Sequence, residues 1–204
     1  MAWLHPVNAE SPAAGTDALT IELVDPAGDA RAGYVQSRAL TATNHIGQRL
    51  LAEMMTALRK APPEQAAAAA HLRSTSPGEP PVSTMPEITA FKLTSLRLLN
   101  AANSPDRAEL QVLEEVARTV RLGERPPELI VQRITWPDGS EEWRGYRPLA
   151  ALSTCLTCHG NPANHPPRLR TILLRHAPAE TALNYRAGEW RGLLRVTVAV
   201  AADP

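Results

Sequence analysis

The pentad Cys155-Leu156-Thr157-Cys158-His159 constrains this chain more than any other stretch. Two thiols three positions apart, followed at once by an imidazole, are the spacing with which a polypeptide attaches a c-type haem. A short turn lets Cys155 and Cys158 reach the two vinyl groups of one porphyrin as thioethers. His159 then lies under the ring, where its Nε2 can bind the iron as proximal ligand. Gly160 and Asn161-Pro162 let the chain leave that face without helical constraint.

Other chemistries use the same two cysteines. A thioredoxin-like redox pair opens a helix after a strand in a βαβ setting. The flanks Tyr146-Arg147-Pro148 and Asn161-Pro162 carry no such pattern. A zinc site would need His165 or His176 to complete Cys155 and Cys158, and those histidines lack the tight spacing of a second ligand pair. A structural disulfide would leave His159 idle. Haem c is the reading these flanks favour, with zinc and a redox or structural pair as its competitors.

The chain has only these two cysteines, so no disulfide can form elsewhere. Its 21 Lys and Arg balance its 21 Asp and Glu, and nothing in that charge attracts nucleic acid or an anionic membrane. No apolar run approaches the ~18 residues of a bilayer span. Attachment of haem c takes place outside the bacterial cytoplasm. Met1-Ala2-Trp3-Leu4-His5 has neither the basic start nor the apolar run of an export signal, so the expectation is a mature or trimmed chain located in the periplasm or elsewhere outside the cytoplasm.

The 204 residues suit one domain, residues 35–204, behind an N-terminal extension, residues 1–34, that holds a short strand over Leu19–Val24. Ile46, Leu50, Met54 and Leu58 recur every four residues and predict a helix from about Val35 to Lys60, with His45 on its polar flank. Pro62-Pro63 stops that helix, and Glu64-Gln65 with five alanines starts another ending near His71-Leu72-Arg73. Ala67 and Ala68 lie about one turn before His71, so a flat ring could approach there with His71 as the one side chain able to reach a metal. A terminal histidine favoured by the helix dipole is the plainer account of the same residue. Ser74 to Pro86 reads as a loop containing Met85, and a loop methionine is a common distal haem ligand.

Phe91 to Asn100 reads as extended or irregular. Ser104-Pro105-Asp106 predicts a helix start with Ser104 as cap, followed by a buried stripe of Leu110, Leu113, Val116, Ala117 and Val120. Leu129–Trp136 and Glu141–Leu149 flank Pro137-Asp138-Gly139-Ser140 as a hairpin leading into the cysteine motif. Arg168–Leu174 and Glu180–Tyr185 are ambiguous, and Leu194, Val196, Val198 and Val200 alternate as a last strand. Helices first and an antiparallel sheet after them make an α+β domain.

Three stretches together resemble a haem-c-bearing PAS-like domain of exported bacterial proteins and histidine-kinase sensory regions. They are Thr94–Asp106, then Tyr146-Arg147-Pro148 followed by Cys155–Gly160, then Ala182–Gly192. The similarity spans about residues 38–200. It implies a PAS-like antiparallel sheet enclosing one covalent haem. The family has arginines where Leu93 and Leu99 stand. It also carries a cysteine as distal iron ligand near the end of its second helix. Here Pro63-Glu64-Gln65-Ala66-Ala67 leads to His71 at that position. The resemblance therefore implies His71 as distal ligand, ahead of Met85, His45, Lys92 or an open site.

These readings converge on a non-enzymatic electron-transfer module with iron held by His159 and His71. Arg147, Arg168 and Arg170 are candidates to pair with the haem propionates, against the alternative of solvated arginines. Trp143, Tyr146 and Trp190 are candidate pocket walls. A lone haem must exchange electrons by docking, so a redox partner protein is expected, and a place in a larger complex with it. The alternative is a redox or gas sensor with an exchangeable distal ligand. A peroxidase-type enzyme needs an open iron and distal acid–base groups, which ligation by His71 would remove.

Overall fold

A computed structural model describes residues 19–71, 82–176 and 182–201. The expected linker over residues 1–17, and the part of the Ser74–Pro86 loop before Val82, lie outside the described residues. In chain order the elements are β1 (Thr20–Leu23), α1 (Ala30–Lys60), α2 (Pro63–His71), β2 (Ile88–Thr94), α3 (Arg107–Arg121), β3 (Ile130–Thr135), β4 (Glu141–Ala150), α4 (Leu156–His159), α5 (Pro167–His176) and β5 (Trp190–Val198). The five strands form one antiparallel sheet in the order β1-β3-β4-β5-β2. The α+β expectation matches this architecture.

Helix α1 runs across the expected boundary at residue 34. Asp29 caps α1 by accepting the Ala32 amide at 2.9 Å, so the helix starts at Ala30 and a division after Tyr34 would cut it. An aspartate before alanines reads equally as turn or cap, and here it caps. The short strand is also no appendage: β1 pairs with β3 through Thr20↔Thr135 to Leu23↔Gln132.

Helix α1 covers one face of the sheet. Its buried apolar side chains are Ala32, Val35, Ala39, Ala42 and Ile46, packed on Val131, Trp143, Leu194, Val196 and Val198. Beyond Ile46 the expected stripe is only partly covered: Leu50, Met54 and Leu58 are half-buried. Small residues dominate the buried half because the helix comes very close to β4. A Cβ built on Gly145 would stand 2.2 Å from the Ala39 Cβ, so no larger residue fits at either position without displacement.

Helix α3 covers the opposite face. Its cap is Asp106, two residues later than expected. Asp106 accepts the Glu109 amide at 2.7 Å, and the Glu109 carboxylate accepts the Asp106 amide at 2.9 Å. That reciprocal box needs a Glu three residues after the cap, a condition Ser104 does not meet. Ser104 instead ends a 3-10 turn over Ala101–Asn103. The buried stripe rotates accordingly to Ala108, Glu109, Val112, Leu113 and Val116, and leaves Leu110 and Val120 exposed.

Candidate functional site at the Cys-x-x-Cys-His corner

Strand β4 delivers the motif. The Ala151 amide donates to the Glu189 carbonyl and the Gly188 amide donates back to the Ala151 carbonyl, each at 2.8 Å. A 3-10 turn over Ser153–Cys155 and the single-turn α4 follow. Cys155 and Cys158 are free, half-buried thiols. The end of α4 is tied to the loop before β5: the Tyr185 amide donates to the His159 carbonyl, and the Asn184 amide to that of Gly160, each at 2.9 Å.

The His159 ring is held in one tautomer. Its Nδ1 lies 3.1 Å from the Ala182 carbonyl, which can only accept, so Nδ1 carries the proton. Nε2 keeps its lone pair and lies 2.7 Å from Nη2 of Arg191, which can only donate. Tyr185 stands edge-on to the imidazole at 6.2 Å between centroids. Arg97 lies over the Tyr185 ring at 3.8 Å, pairs with Glu189 at 3.0 Å and donates to the Leu183 carbonyl. This stack makes the loop 182–189 a rigid back wall for the histidine.

Cys158 faces an apolar cluster. That cluster is Ala67 of α2, Leu169 and Leu173 of α5, and Leu183, with Leu174 and Leu99 packed against it as Cys158 is. Leu169 and Leu173, four apart, define the buried side of α5 and resolve that ambiguous stretch as helix. Burial pushes the Cys158 thiol above its ordinary value; Cys155 adds to that and Arg191 opposes it. Helix α2 packs against both α4 and α5. His71 is the last residue of α2, and its side chain lies outside the described residues.

The geometry reassigns several expected residues. Tyr146 is fully buried beneath α3, with Val112, Leu113, Val116 and Leu193, and donates to the Gln132 side chain at 2.7 Å. Trp190 packs partly against that same cluster. Trp143 belongs to the core under α1. Arg147 points to the α1 side, donating to Asn44 and lying 4.0 Å from Glu128. Side chains alternate across a strand, so Trp143 and Arg147 go to the α1 face and Tyr146 to the α3 face. Arg168 and Arg170 are exposed on α5.

Among the other ligand candidates, Met85 is buried in the α1 core and His45 is exposed on α1. Lys92 pairs with Glu109 at 2.7 Å. His165 has both ring nitrogens buried, and burial pulls its pKa down, with the Leu156 backbone opposing that fall and Arg170 adding to it. It lines a cavity of about 450 Å³ beside Leu156, Thr157 and Tyr185. Among the described residues no three His, Cys, Asp or Glu side chains converge on a metal position, so the zinc alternative through His165 gains no support. The His176 side chain lies outside the described residues.

Sequence reasoning missed Arg191, Arg97, Tyr185 and the Ala182 carbonyl as parts of this corner. All but Arg97 lie in the third of the stretches above, and Arg97 lies in the first. The signal was present as a pattern, without any indication of what each residue would touch.

The corner defines the class of protein: an α+β domain whose antiparallel sheet, helix-covered on both faces, presents two thiols and a lone-pair imidazole beside its last strand. The chain belongs to the Tll0287-like family, which matches residues 36–199. The fold is similar to that in the crystal structure of the cyanobacterial heme-protein Tll0287, with a TM-score of 0.53 and 17% identity over 82% of this chain and 96% of that one. No curated protein matches the chain.

Proposed function

We propose that this chain is a monohaem c-type cytochrome module that carries electrons outside the cytoplasm and catalyses no reaction of its own. The observation that carries this is His159: its protonated Nδ1 on the Ala182 carbonyl leaves Nε2 as the unprotonated nitrogen, a potential metal ligand that Arg191 now engages, on the same turn as Cys155 and Cys158. Arg191 Nη2 lies 2.7 Å from Nε2, whose lone pair is therefore aimed at a donor on the motif's open side. Membership of a family that includes a heme-protein supports the same reading.

Cys155 and Cys158 would hold the porphyrin through thioethers and His159 would bind its iron. Bound haem supplies a metal that alternates between ferric and ferrous states. The apolar side chains around Cys158 keep water from that face and lower the local polarity. We assign the distal position to His71. Ala67, four residues earlier, belongs to the Cys158 cluster, so that side of α2 is turned toward the motif and is small enough for a flat ring. Two imidazoles give a lower potential than a histidine–methionine pair. We read the frame as PAS-like, and electron exchange as requiring a docked redox partner.

The test is production by export in a host that matures c-type cytochromes. Haem should stay with the polypeptide on denaturing gels and be lost from the Cys155→Ser/Cys158→Ser double variant. Colourless or zinc-bearing protein would overturn the reading. His71→Ala should turn a low-spin spectrum high-spin and open the ferrous form to carbon monoxide; an unchanged spectrum would remove His71 from the iron. Rapid carbon monoxide binding by the unsubstituted ferrous protein would favour the sensor alternative.

A further inference from the structure

Arg191 occupies an unusual place on β5. The register against β4 runs Leu149↔Gly192 and then Ala150↔Trp190, so Arg191 is the extra residue of a β-bulge. Bulges re-aim side chains, and this one turns Arg191 to His159. The bulge is built rather than incidental. The Arg191 carbonyl accepts the Ser95 hydroxyl at 2.6 Å and that of Tyr185 at 3.4 Å. A Cβ at Gly192 would meet the Thr94 carbonyl oxygen at 2.4 Å, so only glycine lets the strands close here.

The charge at its tip is poorly answered. Among the described residues no carboxylate lies within ion-pair distance of the Arg191 guanidinium. Burial lowers its pKa, and the groups that oppose that fall are Tyr185, Cys155 and Cys158. Its bond to His159 uses the single lone pair of Nε2. A metal needs that same lone pair, so the two cannot share it. Whatever takes Nε2 must release a half-buried cation and leave it in need of an anion.

We propose that Arg191 is the positioning residue for a carboxylate of the incoming porphyrin, exchanging His159 Nε2 for a haem propionate as the imidazole passes to the iron. The inference rests on the haem reading above and goes beyond it by naming which group recognises the cofactor's acidic edge. Until loading, the same guanidinium keeps Nε2 occupied and holds the ring on the Ala182 carbonyl. Arg97 does not share the role, because Glu189 and the Tyr185 ring already engage it.

The test uses the full chain produced without export and kept reduced, titrated with ferric haem and with ferric haem dimethyl ester. The ester keeps the iron and the ring and lacks the anionic carboxylates. The unsubstituted chain should bind the acid about tenfold more tightly than the ester, the size of one charge-assisted hydrogen bond. Arg191→Gln should erase that preference, and Arg191→Lys should restore part of it. A merely structural role would weaken both ligands alike. Equal affinity of the unsubstituted chain for acid and ester overturns the proposal and leaves haem binding standing. A preference undiminished in Arg191→Gln overturns it as well. Should Arg191→Gln not fold, the comparison of acid with ester on the unsubstituted chain decides alone. Exported protein without haem strikes the parent reading instead.

Discussion

Two clusters of buried charge lie on this sheet, and they are built on opposite plans. Under α3, Glu109 is completely buried, yet its carboxylate meets Lys92 at 2.7 Å and Arg195 at 3.1 Å. Beside it Arg144 meets both Asp106 and Glu142 at 2.7 Å. At the motif corner, Arg191 meets a neutral imidazole and no carboxylate among the described residues. The first cluster is closed: each charge has its complement within the chain. The second is open: its donor and its lone pair are spent on each other, and its charge has no complement among the described residues. Closed networks serve the fold, whereas an unanswered charge next to metal-ligand chemistry marks a place kept for a ligand.

Substitutions can break that comparison. Glu109→Ala should have the largest effect, because it leaves the half-buried Lys92 without a counter-charge and Arg195 with only Glu142, at 3.7 Å; a loss of about 3–5 kcal/mol in urea unfolding is expected. A loss below ~1 kcal/mol would mean that solvent answers those charges and the network is not closed. Next comes Gly192→Ala. Its new methyl would collide with the Thr94 carbonyl, so the strands must part at the bulge, at about 1–3 kcal/mol. The tenfold acid-over-ester preference assigned to Arg191 should shrink in the same variant, as its guanidinium is carried away from His159.

Asp106→Ala should cost about 1 kcal/mol through the lost cap. This term has a sign in pH. Burial works to raise the Asp106 carboxyl, but the Glu109 amide and the Arg144 guanidinium outweigh it and hold the group below its ordinary 3.8. A depressed value in the folded state means the contribution is complete above the unfolded carboxyl's pKa and drains away as pH falls through the folded one. Unfolding midpoints of the parent and Asp106→Ala should therefore converge below about pH 4. A gap that persists in acid would assign the effect to packing. The smallest change belongs to Arg191→Leu in protein without cofactor, where stability should move by less than ~1 kcal/mol. A cost equal to that of Glu109→Ala would show that the corner is as closed as the α3 face.

Much of the frame was legible in order along the chain. Apolar alternation marked β5, and Pro137-Asp138-Gly139-Ser140 marked the hairpin of β3 and β4. The departures have two causes. Ser104 and Asp106 both have capping chemistry, and the choice fell to whichever had a glutamate at the third helical position. Tyr146, Arg147 and Trp143 stand near the motif in sequence, but strand alternation and the two covering helices send them elsewhere.

What the sequence determined by itself is the chemistry available: two thiols, an adjacent imidazole, and an alanine-rich segment whose last residue is His71. That follows from covalent spacing, which no packing can change. The electrostatics of the corner were settled only by tertiary structure. The Ala182 carbonyl fixes the His159 proton from 23 residues away, and a one-residue slip between β4 and β5 aims Arg191 at the unprotonated Nε2. A slip of register leaves no mark in local composition, because it arises where two strands and Gly192 must close against Thr94 at once.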